Sequence, residues 1–502
     1  MVAAPVFLAV DSGTSRMKAA LLDQKGQIAA LESCDIASIH PFNGASEADM
    51  GLTWRSFCRL TVTLAEKHPD LWKNLACVCI TGQGDGCWPM DQHGQPVRNA
   101  MLWNDTRSRQ LEISNMQEIE QFCIDHSQTA LFPGAAPMLL LWLKQFEPEA
   151  YSRVRHVLHC KDWLNYCLTG EIVTDFSDAS TALMDIRGCK YENGLLDLLQ
   201  IGESAAYFPP LVGAGTIIGS ITLAAAQQSA IPSGLPVRLG GIDVSVVAAG
   251  AGVTRPGDAL TIIGTTLCNE VVLEETKIDG RDTRGSTLRH VAAGSFLRLM
   301  ATSSGTSSID WARRILAAGR SFDEIEEELS RLQPGSDGVM FQPYLYGERA
   351  PFREPTACAG FYGLLARHTP MHMLRAVYEG LMLSTMDCYR ALPDVHSIAV
   401  AGGGSNSSVL CQMMADGLGK PVKQMLVGEL GLLGAYHLMK NSTDLQPENS
   451  PLDASLYRLF EPDFQRHRLY CDLYEMFVDL RQSISAYWNT REVVFRNQNY
   501  RG

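Results

Sequence analysis

The stretch Val6-Phe7-Leu8-Ala9-Val10-Asp11-Ser12-Gly13-Thr14 decides how the chain is interpreted. Its five apolar residues predict a buried strand that delivers the carboxylate of Asp11 into a Gly-Thr turn. At such a turn Gly13 lets backbone N–H groups approach phosphate oxygens, Thr14 and Ser15 add hydroxyl donors, and a carboxylate holds hydrated Mg²⁺ through water. An ordinary hairpin turn explains the same residues, so this stretch alone leaves both alternatives open.

The residues that follow indicate that a sheet holds Asp11. Two further apolar runs, 17–22 and 27–31, are separated by the turn Asp23-Gln24-Lys25-Gly26. This spacing predicts a meander of antiparallel strands.

Length and composition are those of a folded protein. The 502 residues fit about three domains, or two large α/β domains. Hydrophobic residues make up 46% and charged residues 19% of the chain, which excludes general disorder. A net charge of −13 without a basic block argues against nucleic acid as a partner and against a polybasic membrane anchor.

The compartment follows from the first apolar run and from the cysteines. The run lacks a positive segment before it and ends at Asp11, so we expect neither a signal peptide nor a membrane span, and we predict a cytoplasmic protein. The 14 cysteines include no C-x-x-C pair, which favours buried thiols over disulfides. His156, His159 and Cys160 lack a second zinc-ligand group at a suitable spacing, so we predict a buried strand edge there.

A second copy of the first pattern lies half-way along the chain. Apolar residues 259–263 precede Gly264-Thr265-Thr266, and residues 267–273 form another apolar run. Strand, Gly-Thr turn and strand thus occur twice, which predicts two related lobes, each with its own phosphate-binding turn.

Other segments predict further turns at strand ends. The apolar run 75–80 ends at Thr81-Gly82-Gln83-Gly84-Asp85-Gly86, where three glycines indicate tight backbone geometry. Residues 161–168 predict a helix ending at Gly170, and the strand that ends in Gly240-Gly241-Ile242 presents Asp243 at the start of a helix.

The second half of the chain adds a Gly-rich turn. We predict a helix over residues 374–392, a strand over 397–401, the turn Gly402-Gly403-Gly404-Ser405-Asn406, and a helix over 409–418. A Gly-rich turn before a helix N-terminus can bind an anion or a nucleotide. The chain contains no G-x-x-x-x-G-K-[ST] motif, which disfavours a Walker-type site.

Together these motifs resemble, in order and across nearly the whole chain, the FGGY family of carbohydrate kinases. The matching segments are 11–15 with Lys18, 103–108, 161–175, 240–243, 264–266, 347–351, and 402–404 with Asn406. The resemblance implies an α/β, two-lobed, actin-like ATPase fold (ribonuclease H-like) with the active site in the cleft between the lobes. It implies an N-terminal lobe over residues 1–247 and a C-terminal lobe over 248–502 that ends in a helical tail.

Within the family, residues 81–88 and 158–164 are most similar to erythritol kinases and next to L-xylulose kinases. The resemblance places the substrate at Gln83, Gly84, Asp85 and Asp243, where the Asp85 carboxylate would accept hydrogen bonds from two hydroxyls. It thus implies an ATP-dependent kinase of a small polyol such as erythritol. A kinase of L-xylulose or xylulose remains the alternative.

The resemblance also assigns roles in phosphoryl transfer with ATP and Mg²⁺. Asp243 would be the general base, and Asp11 would hold Mg²⁺, through water. The residues expected to bind phosphates and nucleotide are Gly13, Thr14, Ser15, Lys18, Gly264, Thr265, Thr266, Gly403, Gly404 and Asn406.

Three points stay open at this level. A non-kinase ATPase with the actin fold shares the Asp-Gly-Thr turn, although it has no evident use for the Gln83-Gly84-Asp85 segment. A non-catalytic sugar sensor is disfavoured because the chain keeps Asp243 and both phosphate turns. The hydroxyl that is phosphorylated and the oligomeric state are not fixed by the sequence; a homodimer is one alternative.

Overall fold

The computed structural model describes residues 4–277, 284–440 and 454–496. By their internal contacts these residues form two units. The first comprises Met1–Thr254, Glu274–Leu297 and Glu429–Asn449, and the second comprises Arg255–Leu273, Arg298–Gly428 and Ser450–Gly502. The division into lobes 1–247 and 248–502 stays a prediction.

Strands and helices are numbered in chain order. The strands are β1 (Val6–Ser12), β2 (Arg16–Leu22), β3 (Ile28–Asp35), β4 (Glu47–Ala48), β5 (Leu75–Gly82), β6 (Trp88–Met90), β7 (Ala100–Met101), β8 (His156–Leu158), β9 (Thr174–Asp175), β10 (Met184–Asp185), β11 (Lys190–Tyr191), β12 (Leu211–Val212), β13 (Ile217–Ser220), β14 (Pro236–Ile242), β15 (Asp258–Ile263), β16 (Leu267–Leu273), β17 (Ser286–Arg289), β18 (Phe296–Ala301), β19 (Met340–Gln342), β20 (Gly360–Tyr362), β21 (Ser397–Ala401), β22 (Val422–Met425) and β23 (Tyr457–Phe460). The α-helices are α1 (Met50–Lys67), α2 (Pro69–Trp72), α3 (Met116–His126), α4 (Ala136–Phe146), α5 (Pro148–Arg153), α6 (Cys160–Thr169), α7 (Phe176–Ala179), α8 (Gly194–Leu198), α9 (Leu223–Ser229), α10 (Asp243–Gly250), α11 (Thr306–Leu316), α12 (Phe322–Arg331), α13 (Pro370–Ala391), α14 (Ser408–Leu418), α15 (Leu430–Lys440) and α16 (Phe464–Arg496).

The main sheet of the first unit has six strands in the order β13-β14-β5-β1-β2-β3. β1, β2 and β3 are antiparallel neighbours, so the predicted meander around Asp11 is confirmed. On its other side β1 pairs in parallel with β5, and β5 pairs in parallel with β14. The sheet is therefore mixed, and three of its strands end at the same edge.

Helices cover both faces of this sheet. Successive side chains of a strand point to opposite faces, so β1 packs against helices on both sides. Leu8 and Val10 pack with apolar residues of α1 and α6, among them Phe57 and Trp163. Ala9, between them, packs on the other face with residues of α10 and α15. Burial on both faces explains why the strand is almost uniformly apolar.

Two glycines let α10 and α15 approach each other closely. A Cβ atom on Gly250 would overlap the carbonyl oxygen of Leu430, and a Cβ on Gly434 would overlap that of Val246. The backbones are thus in direct contact, which fixes the start of α10 relative to the sheet that both helices cover.

The second unit repeats the strand, turn and strand pattern, as predicted. β15 and β16 are antiparallel neighbours joined at Gly264–Thr266, and β15 also pairs in parallel with β21, which pairs in parallel with β22. The predicted helices near 374–392 and 409–418 are present as α13 and α14. The predicted helical tail is present as α16, which packs against α13 and α14.

The structure contains no helix, within the part of the chain that it describes, that is long and apolar enough to cross a membrane.

Candidate functional site

The carboxyl ends of β1, β5 and β14 meet at one edge of the first unit's sheet. Gly82 at the end of β5 lies opposite Ser12 of β1 and opposite Ile242 of β14. Asp11, the loop 83–86 and Asp243 therefore all lie at that edge. The structure thus brings together the three segments of the first unit to which the sequence assigned metal, substrate and base.

Tight packing shapes the loop that follows β5. A Cβ atom on Gly84 would overlap the side chain of Ile242 and would lie 2.6 Å from Oδ1 of Asp178. Asp85 has a φ of 54°, in the left-handed region that few residues with a side chain adopt, and its N–H donates to Oδ1 of Asp178 at 3.3 Å. The backbone around Asp85 is thus held in a strained conformation by its neighbours.

The carboxylate of Asp85 can accept a further hydrogen bond. No hydrogen bond from a residue that the structure describes reaches its buried Oδ1. Burial raises the pKa of Asp85 to about 7, and the nearby Asp178 adds to the rise, whereas Thr181 and His159 lower it. A buried acceptor without a protein donor is what a hydroxyl-bearing ligand would satisfy.

Asp11 and Asp243 are a second pair of carboxylates at this edge. Burial raises the pKa of Asp11 to about 6, with Lys18 opposing the rise and Glu429 adding to it. Burial also raises the pKa of Asp243 to about 7, with a further contribution from the charge of Asp11. Uncompensated negative charge of this kind is relieved by a proton or by a metal cation.

The turn after β1 is closed by a hydrogen bond from Gly13 N to Arg16 O at 3.0 Å. Its Thr14 hydroxyl donates to Oε1 of Gln83 at 3.1 Å and accepts from Nε1 of Trp103 at 2.9 Å. The predicted phosphate turn is therefore hydrogen-bonded to the predicted substrate loop. Ser15 is exposed.

Lys18, predicted to bind phosphate, contacts a carboxylate. Its Nζ donates to both oxygens of Glu429, at 3.0 and 2.8 Å. Glu429 directly precedes α15, whose Gly431 would carry a Cβ only 2.6 Å from Oδ2 of Asp11. The Lys18 ion pair thus fixes the start of α15 beside the Asp11 carboxylate.

A buried ammonium ion organises the segments behind the loop. Nζ of Lys161 lies 2.8 Å from Oδ1 of Asp162, 3.0 Å from Oδ1 of Asp175 and 2.7 Å from Oδ2 of Asp178, and all four residues are buried. These carboxylates raise the pKa of Lys161 well above its usual value, although burial opposes the charge. We call these four residues the Lys161 cluster.

The Lys161 cluster reaches both ends of the site. Asp178 accepts the N–H of Asp85, as described above. Asp175 accepts a hydrogen bond from the Ser177 hydroxyl, and that hydroxyl accepts the N–H of Ile242 at 3.0 Å. Because Ile242 directly precedes Asp243, the cluster holds the backbone beside Asp85 and Asp243, the two carboxylates predicted to serve the substrate.

His159 and Cys160 do not form a strand edge, so that prediction is wrong for them. His156 lies in β8, but His159 is the N-cap of α6 and Cys160 is its first residue. Nδ1 of His159 lies 3.3 Å from Oδ2 of Asp162 and 3.6 Å from Oδ2 of Asp178. These contacts orient the imidazole ring of His159 toward the start of α6.

These three groups, His159, Asp162 and Asp178, lie close enough together to hold a metal ion. Lys161, however, already places its ammonium 2.8 and 2.7 Å from the two carboxylates. A second cation there would face a fixed positive charge, so the arrangement does not favour a metal.

The second unit has its own set of strand-end turns. Ile262 of β15 lies opposite Ala401 of β21 in the parallel register, so the turns that follow these strands start side by side. The Gly264 N–H donates to Thr266 O at 3.0 Å, which parallels the closure of the first turn. Gly264 O accepts the N–H of Thr306 at 2.8 Å, which brings the start of α11 to this turn.

The glycines of the turn after β21 differ in how much space surrounds their Cα atoms. Gly402 has a φ of 89°, and a Cβ there would lie 2.7 Å from the Ile263 carbonyl oxygen. A Cβ on Gly404 would overlap Ile263, whereas a Cβ on Gly403 would have no atom within 4 Å. Asn406 is exposed. Gly403 thus has open space beside its Cα atom, and the Asn406 side chain is exposed.

Several residues of these sites are absent from the sequence-based assignment. They are Asp178, Glu429, Gly431 and the segment 303–307 before α11. Only the last carries a local signal, because Ser303-Ser304-Gly305-Thr306-Ser307 is typical of a helix start. The other three act through contacts with residues far away in the chain.

Comparison with protein families matches both parts of the chain. The N-terminal domain of the FGGY family of carbohydrate kinases matches residues 6–250, and the C-terminal domain of the same family matches residues 259–439.

Individual relatives are similar to this chain over nearly its whole length. The L-xylulose/3-keto-L-gulonate kinase of Escherichia coli (strain K12) is 29% identical over 492 residues, which are 96% of this chain and 97% of the relative. The erythritol kinase of Brucella abortus (strain 2308) is 26% identical over 511 residues, covering 96% and 97%. The crystal structure of ligand-bound xylulose kinase from Lactobacillus acidophilus superposes with a TM-score of 0.88 at 22% identity, covering 97% of this chain and 99% of that one. The predicted fold class is confirmed.

Replacing Lys161 by Met is expected to lower the free energy of unfolding by about 3–5 kcal/mol, because three buried carboxylates lose their counter-charge. Urea unfolding followed by tryptophan fluorescence measures the change. Lys25→Met, at an exposed lysine, is the matched control and should stay within about 0.5 kcal/mol of the wild type. A loss below about 1 kcal/mol for Lys161→Met would show that the cluster carries little of the stability.

Proposed function

Because this chain belongs to the FGGY family of carbohydrate kinases, and is therefore a phosphotransferase with an alcohol group as acceptor, we propose that it phosphorylates a small polyol such as erythritol with ATP. The observation that carries the assignment of an acceptor with neighbouring hydroxyls is the Asp85 carboxylate, a buried acceptor that no donor among the described residues satisfies at Oδ1. A polyol offers hydroxyl donors on every carbon, so two neighbouring hydroxyls can donate to one carboxylate.

A ketopentose such as L-xylulose is the second candidate. It is favoured by the relative from Escherichia coli, which is named an L-xylulose/3-keto-L-gulonate kinase. A ketopentose also has neighbouring hydroxyls for Asp85, but its carbonyl needs a hydrogen-bond donor rather than an acceptor. Gln83 can supply such a donor, because among the described residues its amide is engaged at Oε1, by Thr14, and not at Nε2.

Asp243 is proposed as the general base. It lies at the first position of α10, and its Oδ1 accepts the N–H of Val244 at 2.7 Å, which orients the carboxylate. A base with a pKa of about 7 is ionised in a large fraction near neutral pH and still attracts a proton strongly. Asp243 would accept the proton of the attacking hydroxyl.

Asp11 fits the proposed Mg²⁺ site. Carboxylate oxygens are ligands that Mg²⁺ prefers. Asp11 is buried, and its charge acts on Asp243 while that of Glu429 acts on Asp11, so negative charge is left to be compensated. When bound, Mg²⁺ would neutralise charge on the transferred phosphoryl group. Asp11 itself would orient the water ligands of the ion.

The remaining phosphate and nucleotide contacts are proposed on the two sets of turns. In the first unit, Gly13, Thr14 and Ser15 offer backbone and hydroxyl donors, and Lys18 adds positive charge that it shares with Glu429. In the second unit, the segment Gly264-Thr265-Thr266 offers N–H and hydroxyl donors beside the N-terminus of α11, which favours anions. Gly403, Gly404 and Asn406 are proposed to border adenine and ribose.

The function is tested by a coupled assay of ADP release. The purified full chain is given ATP and Mg²⁺ with erythritol, other tetritols, pentitols, glycerol, xylulose or ribulose, each in turn. We expect the highest kcat/KM with a polyol of four or five carbons. A clear preference for a ketopentose would replace the polyol assignment, and ADP release independent of any acceptor would favour an ATPase of the same fold.

Asp243→Asn is expected to lower kcat by about 10²–10⁴ while ATP binding stays within about twofold of the wild type. The amide oxygen can still accept the Val244 N–H, so the fold around α10 is kept while the base is lost. Initial rates and calorimetric titration with ATP measure the two effects. Asp472→Asn, at an exposed position on α16, is the control, and near-normal turnover of Asp243→Asn would remove Asp243 from the role of base.

The glycines after β21 give a matched pair of variants. Gly403→Ala should leave the unfolding free energy unchanged but raise KM for ATP by about three- to tenfold, because its methyl group enters space left for the nucleotide. Gly402→Ala should instead lower the unfolding free energy by about 1–3 kcal/mol, because only glycine tolerates its backbone conformation. Initial rates and urea unfolding separate the effects, and unchanged KM in Gly403→Ala would place adenine and ribose elsewhere.

A further inference from the structure

Carboxylates outnumber cations around the Asp85 loop. The Lys161 cluster places one ammonium among three carboxylates, and Asp178 of that cluster also accepts the Asp85 N–H. Asp85 therefore lies beside a buried site that already carries surplus negative charge. Two carboxylates in one buried space are not both ionised unless a cation compensates them.

His159 is placed to be that cation. It is buried, with 7% of its surface exposed, and its Nδ1 faces Oδ2 of Asp162 at 3.3 Å and Oδ2 of Asp178 at 3.6 Å. With both ring nitrogens protonated the ring is an imidazolium whose charge lies beside these two carboxylates. The other oxygen of Asp178 accepts the Asp85 N–H, so one aspartate contacts both His159 and the substrate loop.

We propose that His159 is a positioning residue for the acceptor substrate: its imidazolium, held by Asp162 and Asp178, keeps Asp85 ionised and its loop in place, so that Asp85 accepts the substrate hydroxyls. This inference rests on the proposed function of Asp85. It adds a residue that touches neither reacting atom and acts through Asp178 and Asp85.

The electrostatics agree with this geometry. Burial and the charge of Lys161 disfavour a charged ring, but Asp178 and Asp162 outweigh them and raise the pKa of His159 to about 8. The charge of His159 in turn opposes the rise that burial causes in the pKa of Asp85. The titratable groups of the neighbouring elements that act on this arrangement are Cys160, Lys161 and Asp162 of α6, Asp175 of β9, Asp178 of α7, Tyr191 of β11, and Asp243 of α10.

The signs predict how acceptor binding depends on pH. Below about pH 7 Asp85 takes up a proton and stops accepting from two hydroxyls. Above about pH 8 Asp85 stays ionised, but His159 loses the charge that compensates Asp178, and Asp178 then holds the Asp85 loop less firmly. KM for the acceptor should therefore be lowest between these values and rise on both sides. Lys161 keeps its charge throughout this range, because its pKa lies well above the usual value.

The test is His159→Gln, with KM for the acceptor measured from pH 6 to 9.5 at saturating ATP. We expect the alkaline rise in KM to disappear and the acid rise to move to higher pH. At pH 7 KM should increase about fivefold, because a rise of about one unit from a pKa of about 7 lowers the ionised fraction of Asp85 from about one half to about one tenth. The values of kcat and of KM for ATP should stay within about twofold.

His156→Gln is the matched control. His156 is half-buried in β8, three residues from His159, and burial lowers rather than raises its pKa. This variant should keep the wild-type profile. An alkaline rise that persists in His159→Gln, or a fall in kcat with unchanged acceptor KM, would overturn the proposed role.

A second measurement is made on the wild-type protein and requires no known acceptor. NMR of the full-length wild-type protein labelled with ¹⁵N-histidine should show one imidazole that stays protonated to about pH 8. If all imidazoles are neutral well below that pH, the role of His159 is overturned whatever the acceptor screen finds. Failure of every polyol and sugar to cause ADP release would instead overturn the proposed function.

Discussion

The ammonium of Lys161 joins the start of α6 to the segment 174–179 of the first unit. Its carboxylate partners come from the start of α6, from β9 and from α7, and each is buried. Through Asp178 the ammonium fixes the loop of Asp85, and through Asp175 and Ser177 it fixes the backbone that precedes Asp243. A buried charge that loses one partner is costly, which makes this arrangement rigid. A site that acts by positioning its reactants needs such rigidity.

The parallel register of the strands then decides what meets at the sheet edge. Gly82 lies level with Ser12 and Ile242, so the residues after three strands from distant parts of the chain become neighbours. The glycine contacts between α10 and α15 keep Asp243 and the start of α15 close to this edge. The second unit uses the same device, because β15 and β21 end side by side and present two turns. One architectural rule thus produces both candidate sites.

Much of this could be predicted from the sequence. The apolar runs give β1, β5, β14, β15 and β21, and the glycines and aspartates after them mark the turns, because both signals are local. What the sequence missed acts over long distances: Glu429 pairs with Lys18 across 411 residues. His159 was predicted to lie at a strand edge, because nothing near it in the chain indicates that Asp178 would lie 3.6 Å away.

The sequence by itself determined the buried strands and the two phosphate-type turns, because these follow from residue type and spacing. The resemblance of its motifs added the α/β, two-lobed fold, the kinase family and the candidate roles of Asp11, Asp85 and Asp243. The tertiary structure alone decided which charges share one buried space. Burial raises the pKa values of Asp85 and Asp243 to about 7. Burial alone would lower the pKa of His159, but the carboxylates of Asp178 and Asp162 raise it to about 8. Desolvation and Coulomb interactions depend on distances through space, and spacing along the chain does not contain these distances.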